Sequence, residues 1–180
     1  GVGLGDFNND DLPDLFVGCY ISNSFPPYND WYDMIFYNTG DPETPFPAAP
    51  SWIAADQMHT GDARLGDING DTFLDAVVIT GGTAYSPPRI YFGGDNGPST
   101  SPGWISSPPQ SGWATGGMLF DVDGDDDLDL FTTNQALAGT RPEDAHRPMY
   151  LHRNIGNMLE TTPSWRSDEI SIQNTAAAID

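Results

Sequence analysis

The chain contains no lysine. Its six basic residues are all arginine, set against 26 acidic ones, and the formal net charge is −20. Binding to nucleic acid needs basic side chains clustered against phosphate, and the sequence has no such cluster. An anionic membrane surface is disfavoured as a partner on the same ground. No stretch approaches the ~18 consecutive apolar residues of a membrane-spanning helix. Cys19 is the only cysteine, so no internal disulfide framework holds the chain, and a lone thiol reads as a small buried hydrophobe. Glutamate is scarce too: 4 of the 26 acids are Glu and 22 are Asp. Asp is poor inside helices and strands and good in turns and metal loops. An acidic surface that served only solubility would mix the two acids.

What is present is a repeat. The 180 residues suffice for one domain of ordinary size. The 20 Gly and 16 Pro raise the question of disorder, but 12% aromatic content and recurrent β-rich runs indicate a packed core with Gly and Pro in turns. An acidic segment starts at Asp6, at Asp67 and at Asp121, at intervals of 61 and 54 residues, with the pattern D-x-[DN]-x-D-x-x-x-D followed by an apolar run. The triplet P-[SG]-W ends at Trp52, Trp104 and Trp165. From those tryptophans to the next acidic start is 15 residues (Asp67), 17 (Asp121) and 15 (Asp180). Asp180 thus stands in the register of a fourth loop. Between these markers lie aromatic runs that end at turn residues, from Met34, Arg89 and Met149.

Each repeat therefore predicts four short strands. The first strands are 2–5, 63–66, 117–120 and, opening a fourth repeat, 176–179. The second are 14–20, 75–80 and 129–133. The aromatic runs are third, and the fourth start near the tryptophans. Four strands per ~55–60 residues, with no helical periodicity of useful length, is the pattern of β-propeller blades. The expected division is one domain over 1–180, with repeats at about 1–61, 62–115 and 116–174, and 175–180 starting a fourth. A propeller closes to remove its edges, so three repeats predict either a longer polypeptide or a subunit whose open blades neighbours cover.

The acidic segments suit a hard cation. Calcium takes six to eight oxygens, and a short loop with carboxylates at positions 1, 3, 5 and 9 can wrap one ion, position 7 offering its backbone carbonyl. Loop one would use Asp6, Asn8, Asp10, the carbonyl of Leu12, and Asp14. Loop two would use Asp67, Asn69, Asp71, the carbonyl of Phe73, and Asp75. Loop three would use Asp121, Asp123, Asp125, the carbonyl of Asp127, and Asp129. Asp180 would be the first ligand of the next. Three Ca²⁺ ions are expected. Without a cation, several carboxylates a few ångströms apart repel one another. Zinc and copper are disfavoured because no Cys or His sits at ligand spacing, and magnesium seldom uses such a cage. An EF-hand is rejected: its position-12 glutamate is replaced by Val17, Val78 and Thr132, and the flanks read as strands.

These loops resemble the FG-GAP/VCBS repeats found in integrin α-subunits and many bacterial secreted proteins. Gly5 before Asp6, Gly66 before Asp67, the run Leu128-Asp129-Leu130 and the spacing from Tyr150 to Asn154 carry the likeness, which covers essentially the whole chain. The resemblance implies a calcium-stabilised propeller of roughly seven blades, used for adhesion or ligand display. The family usually has Gly at loop position 6, where the backbone is left-handed. Here Asp11, Thr72 and Asp126 stand there; Asp tolerates that conformation and Thr is strained in it.

Other constellations carry less. Gly1, Gly3 and Gly5 do not have the spacing of a nucleotide-binding turn, and no G-x-S-x-G elbow exists. His59, His146 and His152 have no evident nucleophile partner, and His152 reads as structural. The tryptophans, placed once per repeat, read as packing between neighbouring blades. The functional expectation is an extracellular, calcium-bound binding, adhesion or scaffold module, not an enzyme, that presents loops to a protein or glycan. The alternatives are a secreted polysaccharide lyase, which would want a basic cleft, and a structural subunit of a fibre or surface layer.

Overall fold

The computed structural model describes residues 1–19, 32–80, 87–107, 113–135 and 148–168. Among these residues there is no helix, and the strands form three four-stranded antiparallel sheets, each a meander in chain order. Blade one holds β1 (Val2–Gly5), β2 (Asp14–Val17), β3 (Tyr32–Phe36) and β4 (Trp52–Gln57). Blade two holds β5 (Thr60–Gly66), β6 (Asp75–Thr80), β7 (Arg89–Tyr91) and β8 (Trp104–Ile105). Blade three holds β9 (Trp113–Phe120), β10 (Asp129–Gln135), β11 (Tyr150–His152) and β12 (Trp165–Arg166). The first strands lie side by side, β1 against β5 and β5 against β9. This is the all-β architecture of propeller blades that the repeat predicts. The second strand of blade one ends at Val17 instead of Tyr20, and Tyr20 and the expected strand at 176–179 lie outside the described residues.

Blade packing explains the burial pattern. Strand β6 is buried on both faces because each face meets another blade. Ala76 and Val78 join Phe7, Phe16, Ile35 and Trp52 in a core between blades one and two. Val77 and Ile79 join Ile68, Trp104, Leu130 and Leu159 in a second core between blades two and three. The tryptophans stitch each blade to the next. Trp52 Nε1 donates to Pro98 O at 2.8 Å and its ring meets Tyr91 edge-on. Trp104 Nε1 donates to Leu159 O at 2.8 Å and its ring meets His152 edge-on. His152 is fully buried, with its Nδ1 2.8 Å from Glu160 O and its Nε2 3.3 Å from Ser106 Oγ. Burial holds the imidazole below its ordinary pKa.

The glycines before the first two loops have a packing reason. A Cβ on Gly5 would sit 2.2 Å from a methyl of Leu74, and one on Gly66 2.8 Å from a methyl of Leu128. Both leucines hold loop position 8 of the following blade, so the small residue admits the neighbour. Phe120 takes the equivalent place in blade three.

The two end blades each present an apolar face. On blade one, Val2 is 71% and Leu4 63% exposed. By register they match Ala63 and Leu65, which pack against the blade-one side in blade two. On blade three, Trp165 is 47% exposed and stacks on Phe131, although its equivalents Trp52 and Trp104 are buried.

At the blade ends opposite the acidic loops, a buried carboxylate ties blade one to blade two. Asp33 accepts from Cys19 N at 3.0 Å and from Thr60 Oγ1 at 2.7 Å. Burial pushes its pKa up to about 6, with the Thr60 and Cys19 bonds opposing. Cys19 itself is only half-buried, unlike the expectation. A carboxyl raised on folding stabilises the fold below its unfolded pKa and loses that contribution as pH rises through its folded pKa. Relative to Asp33→Asn, wild type should therefore gain about 2 kcal/mol between about pH 7 and about pH 4. Urea unfolding of both proteins across that range, in chelator, measures it; parallel pH profiles would count against the assignment.

Candidate metal centre

Each acidic segment is the turn of its blade's first hairpin. The pairs that close it are Gly5 with Asp14, Gly66 with Asp75 and Phe120 with Asp129. The turn is built by carboxylates folding the backbone around them. The position-1 side chain collects N–H groups from positions 5 and 6. Asp6 takes Asp10 N at 3.2 Å and Asp11 N at 2.9 Å, and Asp67 takes Asp71 N at 3.1 Å and Thr72 N at 2.8 Å. Asp121 takes Asp125 N at 3.2 Å, Asp126 N at 3.0 Å and also Gly124 N at 2.7 Å. Those donors hold the Asp121 carboxyl below its ordinary pKa, Gly124 first.

The position-5 side chain in turn accepts the N–H of position 7. Asp10 takes Leu12 N and Asp71 takes Phe73 N, each at 2.9 Å, and Asp125 takes Asp127 N at 3.1 Å. Those bonds hold the backbone on the N-terminal side of the residue whose carbonyl was predicted as a ligand. Positions 4 and 6 are left-handed in all three loops: Asn9 and Asp11, Gly70 and Thr72, Gly124 and Asp126. Thr72 does carry the strained φ, at +74°. Yet loop two keeps the bonds of loop one, so the carboxylates override the local preference of threonine.

Position 9 plays a part that spacing alone does not reveal. Asp14, Asp75 and Asp129 are fully buried, and each accepts on one oxygen from the N–H of loop position 2 and on the other from the second residue after the third strand. Asp14 takes Phe7 N at 2.9 Å and Asn38 N at 2.8 Å. Asp75 takes Ile68 N at 2.8 Å and Gly93 N at 2.7 Å, and Asp129 takes Val122 N at 2.8 Å and Asn154 N at 2.7 Å. The carboxylate is a brace between the loop and the third strand. Each oxygen retains a lone pair for a cation. Burial pushes the Asp75 carboxyl up to about 6, the two N–H donors opposing and Asp71 and Asp67 adding to the rise. Asp14 is raised for the same first cause. A buried carboxyl beside like charges is a site that a cation would relieve.

Asn38 and Asn154 add a second bond to the brace. Their Nδ2 groups reach Pro13 O at 3.0 Å and Leu128 O at 3.3 Å, and Asn154 also reaches Ile68 O at 2.7 Å in the preceding blade. Gly93 stands in that place in blade two, where a Cβ would sit 2.7 Å from Leu74 O. The signal was present in the sequence as the residue ending each aromatic run.

The donors of each loop are oxygens, which suits a hard cation. In loop three, Asp121, Asp123 and Asp129 each offer a carboxylate oxygen, and these lie within 4.8 Å of one another. Loops one and two put Asn8 and Asn69 at position 3, each donating its Nδ2 to the position-5 carboxylate, Asp10 at 3.0 Å and Asp71 at 2.9 Å. Asp180 lies outside the described residues. A groove of about 390 Å³ runs between loops one and two, lined by Leu4, Asp6, Leu65, Asp67, Thr72 and Phe73.

Comparison with known proteins agrees with the repeat. The family model described as FG-GAP-like repeat matches residues 6–78 and again 67–132, each match opening on the first aspartate of a loop. A search of curated proteins returned no match.

Proposed function

The chain belongs to the FG-GAP-like repeat family, and from that premise we propose that it is a calcium-stabilised propeller segment that binds or displays on the extracellular side. The observation that carries this reading is one loop geometry built three times from different residues, each copy gathering carboxylates around a left-handed turn. The ligand atoms would be those of Asp6, Asn8, Asp10 and Asp14, of Asp67, Asn69, Asp71 and Asp75, and of Asp121, Asp123, Asp125 and Asp129, with the carbonyls of Leu12, Phe73 and Asp127. Calcium would supply charge neutralisation and rigidity, and the protein supplies the presented loops. Extracellular calcium and salt both suit a net charge of −20.

A binding or scaffold role is favoured over a lyase by the state of the arginines. Arg64, Arg89 and Arg153 are paired with Asp62, Asp56 and Asp123, so these three do not form a cleft for an acidic polysaccharide. Incubation with alginate and pectin in millimolar calcium tests this directly. No unsaturated product should accumulate; ultraviolet-absorbing product would support the lyase reading instead.

A further inference from the structure

Loop three carries more acid than the other two, at positions 3 and 7, and it has a cation beside position 3. Its position 3 is Asp123, where loops one and two have Asn8 and Asn69. Those asparagines donate an N–H to the neighbouring position-5 carboxylate; a carboxylate cannot. In its place Nη2 of Arg153 is bonded to Asp123 Oδ2. Arg153 precedes Asn154 as Tyr37 precedes Asn38 and Phe92 precedes Gly93, so the cation occurs only where the extra acid does. The loop of Arg153 is anchored. Its carbonyl accepts from Glu160 N at 2.8 Å, and the next residue, Asn154, is held by Asp129. The guanidinium thus starts from a fixed backbone position beside the Asp121, Asp123 and Asp129 cluster.

From this geometry we infer that Arg153 is a tethered cation that competes with calcium for loop three and sets that loop's affinity apart from the other two. This inference rests on the calcium reading above. With the loop metal-free, the guanidinium bonds one of the three clustered carboxylates. A divalent ion that takes Asp123 must displace that bond or share the carboxylate with it, and in either case sits near a like charge. Both effects weaken binding at this loop and leave loops one and two unchanged. The pair is partly exposed, so the effect is modest. Removing the arginine should tighten calcium at loop three roughly two- to fivefold.

The test is calcium titration calorimetry of wild type, Arg153→Gln, Asp123→Asn and the double variant, with the melting temperature of each in excess chelator. Arg153→Gln should tighten one of the three sites and lower the metal-free melting temperature, opposite signs that a merely structural arginine would not give. In the Asp123→Asn background the same change should do neither, because its partner is gone. Equal calcium affinities in wild type and Arg153→Gln would overturn the inference and leave the calcium reading standing. So would an arginine effect that persists without Asp123. A wild-type chain that takes up no calcium would remove both, which tells the two failures apart.

Discussion

Removing calcium should lower the melting temperature of this protein by on the order of 15–30 °C. An ion that binds only the folded state, at a free concentration of about 100 times its dissociation constant, adds about 2.7 kcal/mol. Three independent sites would add about 8 kcal/mol, and each kcal/mol shifts a domain of this size by about 2–4 °C. The structure gives the reason for such dependence. Each loop holds its carboxylates close by turning backbone N–H groups towards them, and burial, with Asp71 and Asp67 adding, pushes the Asp75 carboxyl up to about 6. Calorimetry in millimolar calcium and in excess chelator reads the effect. Magnesium at the same concentration should recover little of it, since it holds its waters. A melting temperature that ignores calcium would remove the metal from the account.

Asp75→Ala should damage the fold in two separable amounts. Its oxygens accept from Ile68 N and Gly93 N in a fully buried site. Alanine leaves both donors without a partner, at about 1–3 kcal/mol each. Part of that is offset, because the variant no longer ionises a desolvated carboxyl at neutral pH. The expected loss is about 2 kcal/mol in chelator and about 5 kcal/mol in calcium, the difference being the lost ion. Asp71→Ala is the control. Asp71 is exposed and accepts Phe73 N at the loop surface, so its loss should be confined to the calcium condition. Equal losses for both variants in chelator would contradict the brace.

Much of this was legible because the loops encode themselves locally. Three copies of one acidic spacing locate the first hairpin of each blade, and β6 starts and ends where the apolar run from Asp75 to Thr80 does. Trp52 and Trp104 were legible as blade contacts because one such tryptophan falls in each repeat, whereas Trp165 stacks on Phe131 of its own blade. Strand lengths were less so. Strand β9 extends back to Trp113 and β10 on to Gln135. Gly116 and Asn134 carry no alternation, and they pair with Thr133 and Ala114 across a register shift that the sequence pattern does not show. The double duty of Asp14, Asp75 and Asp129 was hidden for a different reason. Spacing shows that a carboxylate is near the loop, but the N–H groups that face it come from Asn38, Gly93 and Asn154, 18 to 25 residues on. Arg153 was hidden likewise, since its partner lies 30 residues away and meets it through the pairing of β10 with β11.

Each of the three acidic loops is proposed to hold one calcium ion. Native mass spectrometry of the chelator-treated chain, returned to calcium, counts the ions directly. Three bound ions per chain are expected, falling to two in Asp67→Ala and in Asp121→Ala. A chain that keeps its metal-free mass throughout the titration would contradict the account.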